Sequence, residues 1–314
     1  MAGAYVNMST GKGSKKSKLL RLKKDFSLYL LILPALLSVF VFNYVPLPGI
    51  SIAFMDFDII DQFNSPWAGF KHFQEIVTIP QLKEAAFNTL KLGVLSLITG
   101  FPLPIIFALM LNELKNGIFK RTVQTISYLP HFLSWATVIG IAYTIYSKYG
   151  PINDLLVWIT GDDNSRILFL GEQGFFVPNV LLLQIWKNLG WNTIIYLAAL
   201  TSIDPELYEA SYIDGAGRLK QIIYITIPGI KQTVIMLLIL ACGGILNDNF
   251  QLVYGLQNAF IDYEVISTIV YKQGLQQSQY SMATAFGLTL GLVSFLLTWG
   301  ANKVSKKVSE ISIW

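Results

Sequence analysis

Long apolar runs recur along this chain, and they constrain its fold more strongly than any other feature. Six runs are each near or above the roughly 20 residues that a helix needs to cross the hydrocarbon core of a bilayer. Only 13% of the residues are charged, whereas soluble domains carry roughly a quarter. The chain therefore lacks the polar surface of a large soluble protein, and we predict an all-α membrane protein.

Six transmembrane helices are predicted, preceded by a basic tail. The tail covers residues 1–24 and the transmembrane domain covers residues 25–314. The first span contains three prolines, which predict an irregular outer end, and the Gly-Phe-Pro-Leu-Pro segment at 100–104 predicts a kink in the second. The predicted spans are residues 27–54, 86–112, 122–147, 177–201, 231–255 and 281–302.

The positive charges indicate which way the spans run. Both tails and the loops at 113–121 and 202–231 carry 16 Lys and Arg residues, and the loops on the opposite side carry 5. Because positively charged loops stay in the cytoplasm, we predict that both termini and loop 202–231 are cytoplasmic. No cleavage site follows the first span, which predicts a retained signal-anchor. The aromatic stretch at 65–70 on the outer side predicts a short interfacial helix.

Loop 202–231 has the features of a helical hairpin. Asp204 followed by Pro205 predicts the start of a helix, because the Asp204 side chain can cap the first turn. Proline is favourable at the next position, since an amide hydrogen there would have no partner within the helix. Gly215 and Gly217 then allow a sharp turn. Small side chains near the turn would let another backbone approach closely, which indicates docking to a partner. The alternative is an ordinary amphipathic connector between two spans.

Two stretches of the loop decide between a docking segment and a simple connector. They are residues 209–217, Glu-Ala-Ser-Tyr-Ile-Asp-Gly-Ala-Gly, and residues 225–228, Ile-Thr-Ile-Pro. They resemble the EAA signature of ATP-binding-cassette (ABC) importer permeases, with Ser211, Ile222 and Ile227 as mild departures from its pattern. Further stretches at 33–35, 42–46, 65–70, 128–132, 274–280 and 301–307 look like permeases for complex oligosaccharides and polysaccharide fragments. The resemblance covers roughly residues 25–310.

The resemblance implies a type I ABC importer permease fold with a cytoplasmic coupling helix. It also implies a bacterial cytoplasmic membrane, a second homologous permease, two ATPase subunits and an external solute-binding protein as partners. ATP and Mg would be bound by the ATPase, so we expect no cofactor in this subunit. Glu209 is expected to pair with an arginine of the ATPase. The expected ATPase-coupling residues are Glu209, Ala210, Ser211, Asp214, Gly215 and Ala216.

An ATPase of its own would require a GxxxxGK[ST] phosphate loop. The one Gly-Lys pair is Gly11-Lys12 in the tail, without the required upstream glycine. The pattern therefore predicts that this chain is not an enzyme and that ATP is hydrolysed by another subunit.

Polar residues within spans four and five predict a substrate path, since polar groups at membrane depth are costly and often functional. Amides and carboxylates bind sugar hydroxyls, and aromatic faces bind the C–H surface of the ring. The alternative is that these groups join helices, with Lys187 and Asp248 as an ion pair. The predicted substrate-path residues are Gln184, Lys187, Asn188, Trp191, Asn192, Asn247, Asp248, Asn249 and Gln251.

The remaining polar residues favour structural roles. His131 in span three is interpreted as a helix-packing donor, and Lys91 is expected to extend to the membrane interface. Cys242 is a small packing residue. No cluster has the spacing of metal ligands or of a nucleophile with its base, so we predict neither a catalytic nor a metal site.

The sequence thus predicts a permease subunit of an ATP-driven importer of oligosaccharides or polysaccharide fragments that works by alternating access. Its other predicted partners are the lipid bilayer and the saccharide, and no binding of nucleic acid is predicted. An ABC importer permease for another polar solute is one alternative. An ion-coupled secondary transporter is a second, and it would predict inverted repeats and more buried carboxylates. A membrane-embedded enzyme such as a glycosyltransferase is a third, and it would need acidic clusters.

Overall fold

A computed structural model describes residues 26–115 and 117–313. The predicted basic tail, residues 1–24, lies outside the described residues. The chain divides after Ser51 into two compact units. In the first, a helix containing Pro34 is followed by a π turn at Phe40–Tyr44. A 3-10 helix, Leu47–Phe54, crosses the division, and the second unit contains the remaining elements and the buried core.

Helices account for all the regular structure of the described residues; a single isolated bridge joins Met55 and Trp67. The predicted all-α fold is therefore confirmed. In chain order the helices are α1 (Phe26–Val39), α2 (Lys71–Thr78), α3 (Pro80–Gly100), α4 (Pro102–Glu113), α5 (Ile118–Tyr128), α6 (Trp135–Ile145), α7 (Pro151–Thr160), α8 (Gln173–Leu200), α9 (Pro205–Ile213), α10 (Arg218–Gln221), α11 (Ile227–Gly243), α12 (Phe250–Leu256), α13 (Ile266–Ile269) and α14 (Tyr280–Ser309).

Four helical segments of the described chain are long and apolar enough to cross a membrane: Phe26–Phe54, Pro80–Glu113, Arg218–Gly243 and Tyr280–Ser309. They correspond to predicted spans one, two, five and six. Span four is a single 28-residue helix, α8. Helices α3 and α4 of span two meet at Phe101, where the kink was expected; the Phe101 backbone is helical and its amide donates to the Leu97 carbonyl at 3.1 Å.

Span three is not the continuous helix that the sequence predicted. Helix α5 ends at Tyr128, a 3-10 turn covers Leu129–Phe132, and α6 begins only at Trp135. Leu133 and Ser134 between them have extended backbone. Pro130 explains the break, because it cannot donate to the preceding turn.

Pro228 has the opposite effect, and the helix continues through it. The preceding turn, Ile222–Thr226, widens to a π helix in which the Ile227 amide donates to the Ile222 carbonyl. In a regular α-helix the ring of Pro228 would collide with the carbonyl four residues earlier. The wider turn removes this conflict, so α10, the π turn and α11 form one continuous segment, Arg218–Gly243.

Two further predictions about element positions are wrong. Span five was expected to reach residue 255, but α11 ends at Gly243 and a separate short helix, α12, begins at Phe250. The stretch at 65–70 is not an interfacial helix. Its Trp67 instead forms the bridge to Met55 and stacks on Phe54, with ring centroids 5.7 Å apart.

The largest buried cluster of the second unit surrounds α6, the second helix of span three. Residues of α6, α8 and α12 pack together there, with Val138, Val180 and Leu252 all fully buried. A second cluster joins α4, α8 and α11 through Ala108, Tyr196 and Ile230. Helix α8 belongs to both clusters, so it is the central helix around which the site described below is built.

Candidate substrate cavity and coupling hairpin

A cavity of about 330 Å³ lies between α3, α8 and the chain that follows α11. Its wall is apolar except for one group of hydroxyl, amide and carboxylate side chains. Five of the nine predicted substrate-path residues belong to this group. The polar side chains of the wall are Ser96, Thr99, Gln184, Asn188, Asn192, Asn247 and Asp248.

Hydrogen bonds fix the orientation of two amides in the cavity wall. Ser96 Oγ donates to Gln184 Oε1 at 3.0 Å, which leaves the Gln184 NH₂ group available. Asn188 Nδ2 donates to the Gln184 carbonyl at 3.0 Å, one helical turn away. An amide NH₂ carries two donor hydrogens. Helix α8 can therefore donate hydrogen bonds from both residues to a ligand in the cavity.

Asp248 supplies an acceptor on the opposite side of the cavity. It lies in the non-helical segment between α11 and α12, and its Oδ2 accepts at 3.4 Å from Thr89 Oγ1 and from the Ser267 amide. The Ser267 hydroxyl is buried without a hydrogen-bond partner among the described residues. Amide donors facing a carboxylate acceptor can together bind the hydroxyl groups of a polyol.

Lys187 does not line this cavity and does not pair with Asp248. Its side chain is buried, with 6% of the residue exposed, and its Nζ donates to the carbonyls of His131 at 2.6 Å, Leu133 at 2.5 Å and Pro130 at 3.4 Å. The ring of Trp135 lies 5.2 Å from the ammonium group. The Lys187–Asp248 ion pair offered as an alternative is therefore wrong.

The other three predicted path residues also lie outside the cavity wall. Trp191 stacks on the ring of His131, with the centroids 4.4 Å apart and the planes 3° from parallel. The Asn249 side chain caps α12 by accepting from the Leu252 amide at 3.2 Å, and Gln251 is exposed. The structure thus separates Lys187, Trp191, Asn249 and Gln251 from the five residues that line the cavity.

Sequence reasoning missed the contribution of span two. Ser96 lines the cavity and Thr89 contacts Asp248. These two residues are seven apart and so share a face of α3, two turns from each other. That spacing of hydroxyl side chains is the signal that could have identified them.

Loop 202–231 folds into the predicted hairpin of α9 against α10 and the π turn. Asp204 caps α9 by accepting from the Glu206 amide at 3.0 Å, and Gly215 makes the turn with a φ of +72°. Two side-chain contacts hold the hairpin closed: Gln221 Nε2 donates to Ser211 Oγ at 2.9 Å, and the hydroxyls of Tyr208 and Thr226 are 3.0 Å apart.

The predicted coupling residues lie on the open side of this hairpin. Glu209, Ala210, Asp214 and Gly215 are exposed, whereas Ser211 and Ala216 are half-buried against the second arm. Large apolar side chains beside them are also exposed, including Leu207, Tyr212 and Ile213. An exposed apolar surface with carboxylates at its edge is typical of a protein-interaction site.

A second polar cavity, of about 570 Å³, lies on the predicted outer side, where α2 faces the chain that precedes α14. Asp56 and His72 lie in its wall. Asp56 accepts from Lys71 Nζ at 2.7 Å, and this hydrogen bond lowers the pKa of the Asp56 carboxyl. The His72 ring contacts Glu75 and the Met55 carbonyl. These contacts pair the charged groups with one another.

The long apolar helices, the polar cavity and the exposed hairpin define a multi-pass helical membrane protein with the layout of a transport subunit. The family model described as "Binding-protein-dependent transport system inner membrane component" matches residues 100–310. Because that match covers more than half of the chain, the chain belongs to this family. The resemblance to ABC importer permeases is therefore confirmed.

Two relatives from Bacillus subtilis (strain 168) align over 307 residues, 96% of this chain and 95% of each relative. One is "Polygalacturonan/rhamnogalacturonan transport system permease protein YteP", 42% identical. The other is "Protein LplB", 40% identical. Similarity of this extent covers all six predicted spans.

A solved structure has the same fold. It is a bacterial ABC transporter involved in the import of the acidic polysaccharide alginate; a chain in it is 38% identical with a TM-score of 0.84, over 93% of this chain and 99% of that chain. The alginate transporter in complex with an alginate pentasaccharide-bound periplasmic protein also contains a similar chain, 37% identical with a TM-score of 0.84, over 93% of this chain and 98% of that one. The predicted type of fold, an ABC importer permease, is therefore confirmed.

Proposed function

We propose that this chain is the permease subunit of an ATP-driven, binding-protein-dependent importer of oligosaccharides or polysaccharide fragments. The observation that carries the proposal is the continuity between hairpin and cavity. The segment Arg218–Gly243 starts in the hairpin and ends at the cavity, whose wall includes Ala241 and Gly244. A movement of the hairpin is thus transmitted along one helix to the place where a substrate would bind.

ATP and Mg belong, in this proposal, to two separate ATPase subunits. Glu209 and its neighbours dock on them, while a second homologous permease completes the translocation pathway and a solute-binding protein delivers the substrate. Both termini and loop 202–231 lie in the cytoplasm of a bacterium, as the 16 Lys and Arg residues of that side support. Closure of the ATPase pair moves the hairpins and changes the side to which the cavity opens.

The saccharide class is supported by the chemistry of the cavity and by the relatives. The wall offers amide donors at Gln184 and Asn188 and an acceptor at Asp248, which suit hydroxyl groups. Similar proteins are named for polygalacturonan, rhamnogalacturonan and alginate. None of the described residues in the wall is a Lys or Arg. The carboxylates of an acidic saccharide would therefore need cations from the partner permease, and this chain would bind its hydroxyls.

Uptake by proteoliposomes that contain the complete importer tests the proposal. Oligogalacturonides, alginate oligosaccharides and arabino-oligosaccharides are supplied with the solute-binding protein, with and without internal ATP. We expect ATP-dependent uptake of at least one of them that persists when ionophores collapse the ion gradients. Uptake that needs no ATP and stops with an ionophore would support an ion-coupled transporter instead. ATP-dependent uptake of a non-saccharide alone would favour a permease for another polar solute.

Docking through the hairpin is tested by co-purification with the ATPase. Glu209→Lys places the opposite charge on the exposed side of α9, and we expect it to abolish recovery of the ATPase. Glu206→Lys makes the same change in the first turn of the same helix and is the matched control. Equal recovery of the ATPase with both variants would contradict the assigned role of Glu209.

A further inference from the structure

The break in span three leaves main-chain groups without helical partners at the level of the cavity. Between Leu129 and Ser134 the chain leaves the regular α-helix, so the carbonyls of His131 and Leu133 have no main-chain donor among the described residues, while the Pro130 carbonyl accepts from the Leu133 amide at 3.2 Å. Unsatisfied carbonyls are costly in a membrane protein. Ser134 caps the new helix by accepting from the Thr137 amide at 3.1 Å, but the carbonyls need donors from elsewhere.

Helix α8 supplies those donors and contacts the break through four residues of a single turn. Lys187 binds the three carbonyls, Asn188 contacts His131, and Trp191 stacks on the same ring. Gly190 makes the close approach possible, because a Cβ there would overlap the Ser127 carbonyl. The break is therefore fastened to the central helix and is not a loose joint.

One of these contacts reaches directly into the cavity wall. His131 Nδ1 and Asn188 Oδ1 are 3.2 Å apart, and Asn188 is a wall residue. The Asn188 NH₂ group is already committed to the Gln184 carbonyl, so its oxygen must be the atom that faces His131. An amide oxygen only accepts hydrogen bonds. The proton therefore resides on His131 Nδ1, and His131 is the donor.

We propose that His131 is a positioning residue for the substrate cavity: its Nδ1–H holds the Asn188 amide so that the remaining amide hydrogen points to the ligand. Lys187 fastens the segment that carries His131, and Trp191 keeps the imidazole plane in place. The geometry requires that the oxygen of Asn188 is occupied by the protein, so this residue serves a saccharide as a donor only. The proposal rests on the proposed function, because it takes the cavity as the saccharide site.

Equilibrium binding to the detergent-purified complex of permeases and ATPases, without the solute-binding protein, tests the proposal. The probe is a fluorescently labelled oligogalacturonide, or an alginate oligosaccharide if that gives higher uptake by the wild type. The Kd is independent of the folded fraction of the protein, whereas the binding amplitude and the melting temperature depend on it. Substitution of a residue with only a structural role would change the binding amplitude and the melting temperature and leave the Kd unchanged.

Three substitutions of His131 separate its contacts. His131→Phe keeps an aromatic ring against Trp191 and removes the donor, so we expect a roughly three- to tenfold higher Kd, the loss of about one hydrogen bond. His131→Asn places an amide nitrogen at the position of Nδ1, and we expect a Kd within about twofold of the wild type. His131→Ala removes the donor and the stacking and is expected to resemble His131→Phe in Kd with a lower melting temperature. An unchanged Kd for both His131→Phe and His131→Ala would overturn the proposal.

A double-mutant cycle tests whether His131 acts through Asn188. We expect His131→Phe to have no further effect on the Kd in the Asn188→Ala background, because groups that act as one unit are not additive. Fully additive effects would overturn the proposal. His72→Phe is the matched control, since His72 is the other histidine of the chain and its ring contacts Glu75 and the Met55 carbonyl, neither of which lines the cavity that contains Asn188.

Asn247→Ala separates failure of this inference from failure of the proposed function. Asn247 lines the cavity apart from the contacts that His131 makes. If Asn247→Ala and Asn188→Ala both leave the Kd unchanged, or if the wild type binds none of the probes, the cavity is not the saccharide site and both proposals fail. If both alanine variants weaken binding and His131→Phe does not, the inference alone fails.

Discussion

The ammonium group of Lys187 satisfies three carbonyls at the point where span three loses its helical hydrogen bonds. Its position on α8 explains why the sequence misled about its role. Gln184, Asn188 and Asn192 follow one another at intervals of four and line the cavity, while Lys187 and Trp191 follow the same interval one residue earlier. A helical period places all five on a broad stripe. It cannot show which neighbouring element each edge of the stripe contacts, and the structure places only Gln184, Asn188 and Asn192 of these five in the cavity wall.

Lys187→Met is expected to destabilise the protein and to raise the Kd for the saccharide no further than His131→Phe does, because Lys187 reaches the cavity only through the segment that carries His131. The methionine fits the space but leaves the His131 and Leu133 carbonyls without their donor, and unsatisfied buried groups cost roughly 1–3 kcal/mol each. Even one such loss lowers the melting temperature by roughly 2–10 °C, which can be measured by fluorescence-detected size-exclusion chromatography. Lys91→Met is the control, because Lys91 is exposed on α3. A Kd raised further than that of His131→Phe, with normal stability, would return Lys187 to the substrate path.

At the scale of elements, proline and glycine positions indicated where helices change but not how. Pro130 breaks span three, whereas Pro228 is accommodated by a π turn and leaves span five continuous. Both arrangements accommodate a proline, which has no amide hydrogen to donate to the preceding turn. Packing against α8 decides the first, because Lys187 supplies the donor that the broken segment needs. The hairpin was predictable because Asp204, Pro205 and Gly215 act through local backbone geometry alone.

Gly190→Ala is expected to separate α8 from the break in span three. The added Cβ would overlap the Ser127 carbonyl, and overpacking of this kind costs roughly 1–3 kcal/mol. Gly140→Ala in α6 is the matched control, because no atom lies within 4 Å of its added Cβ. We expect this control to be neutral or stabilising, since alanine is the better helix former. Equal melting temperatures for the two variants would contradict close packing at Gly190.

Gly215→Val is expected to open the coupling hairpin. Gly215 has a φ of +72°, and a β-branched residue in that region costs roughly 1–3 kcal/mol. The strain would shift α9 relative to α10, so recovery of the ATPase in co-purification should fall. Gly217→Val tests the same added volume at a φ of −73°, where the backbone accepts any residue and no atom lies within 4 Å. Comparable losses from the two variants would show that bulk matters there and backbone geometry does not.

At the scale of the whole molecule, composition carried most of the information. Apolar runs of membrane-spanning length predicted the all-helical fold, and four of the eight ends of the long segments lie within one residue of the predicted ends, whereas span five lies 12–13 residues earlier than predicted at both ends. What they could not predict was the cavity. Its wall combines Ser96 of α3, Gln184 of α8 and Asn247 after α11, residues far apart in the chain that only tertiary packing brings together.

The predicted topology is tested by labelling single cysteines in intact cells. Cys242→Ser removes the one native cysteine, and Ile60→Cys or Val308→Cys then introduces a thiol at a position that is 89% or 79% exposed. A membrane-impermeant maleimide should label Ile60→Cys directly. It should label Val308→Cys only after permeabilisation, because the C-terminal end carries the positive charges of the cytoplasmic side. The reverse pattern would mean that the chain runs through the membrane in the opposite direction.

The π turn at Ile222–Thr226 also makes the cavity sensitive to the length of the chain that leads to it. A π turn contains one more residue than an α turn, so deletion of a single residue there would restore regular winding and leave α11 facing the same way, but the ring of Pro228 would then collide with the carbonyl four residues earlier. A deletion or insertion in the regular part of α11 would instead turn the residues that follow it by about 100° about the helix axis, one residue's share of a helical turn. Ala241 and Gly244 would then leave the cavity wall. The length of the chain between hairpin and cavity is thus as tightly specified as any side chain, and homologous permeases should tolerate substitutions in this segment more readily than insertions or deletions.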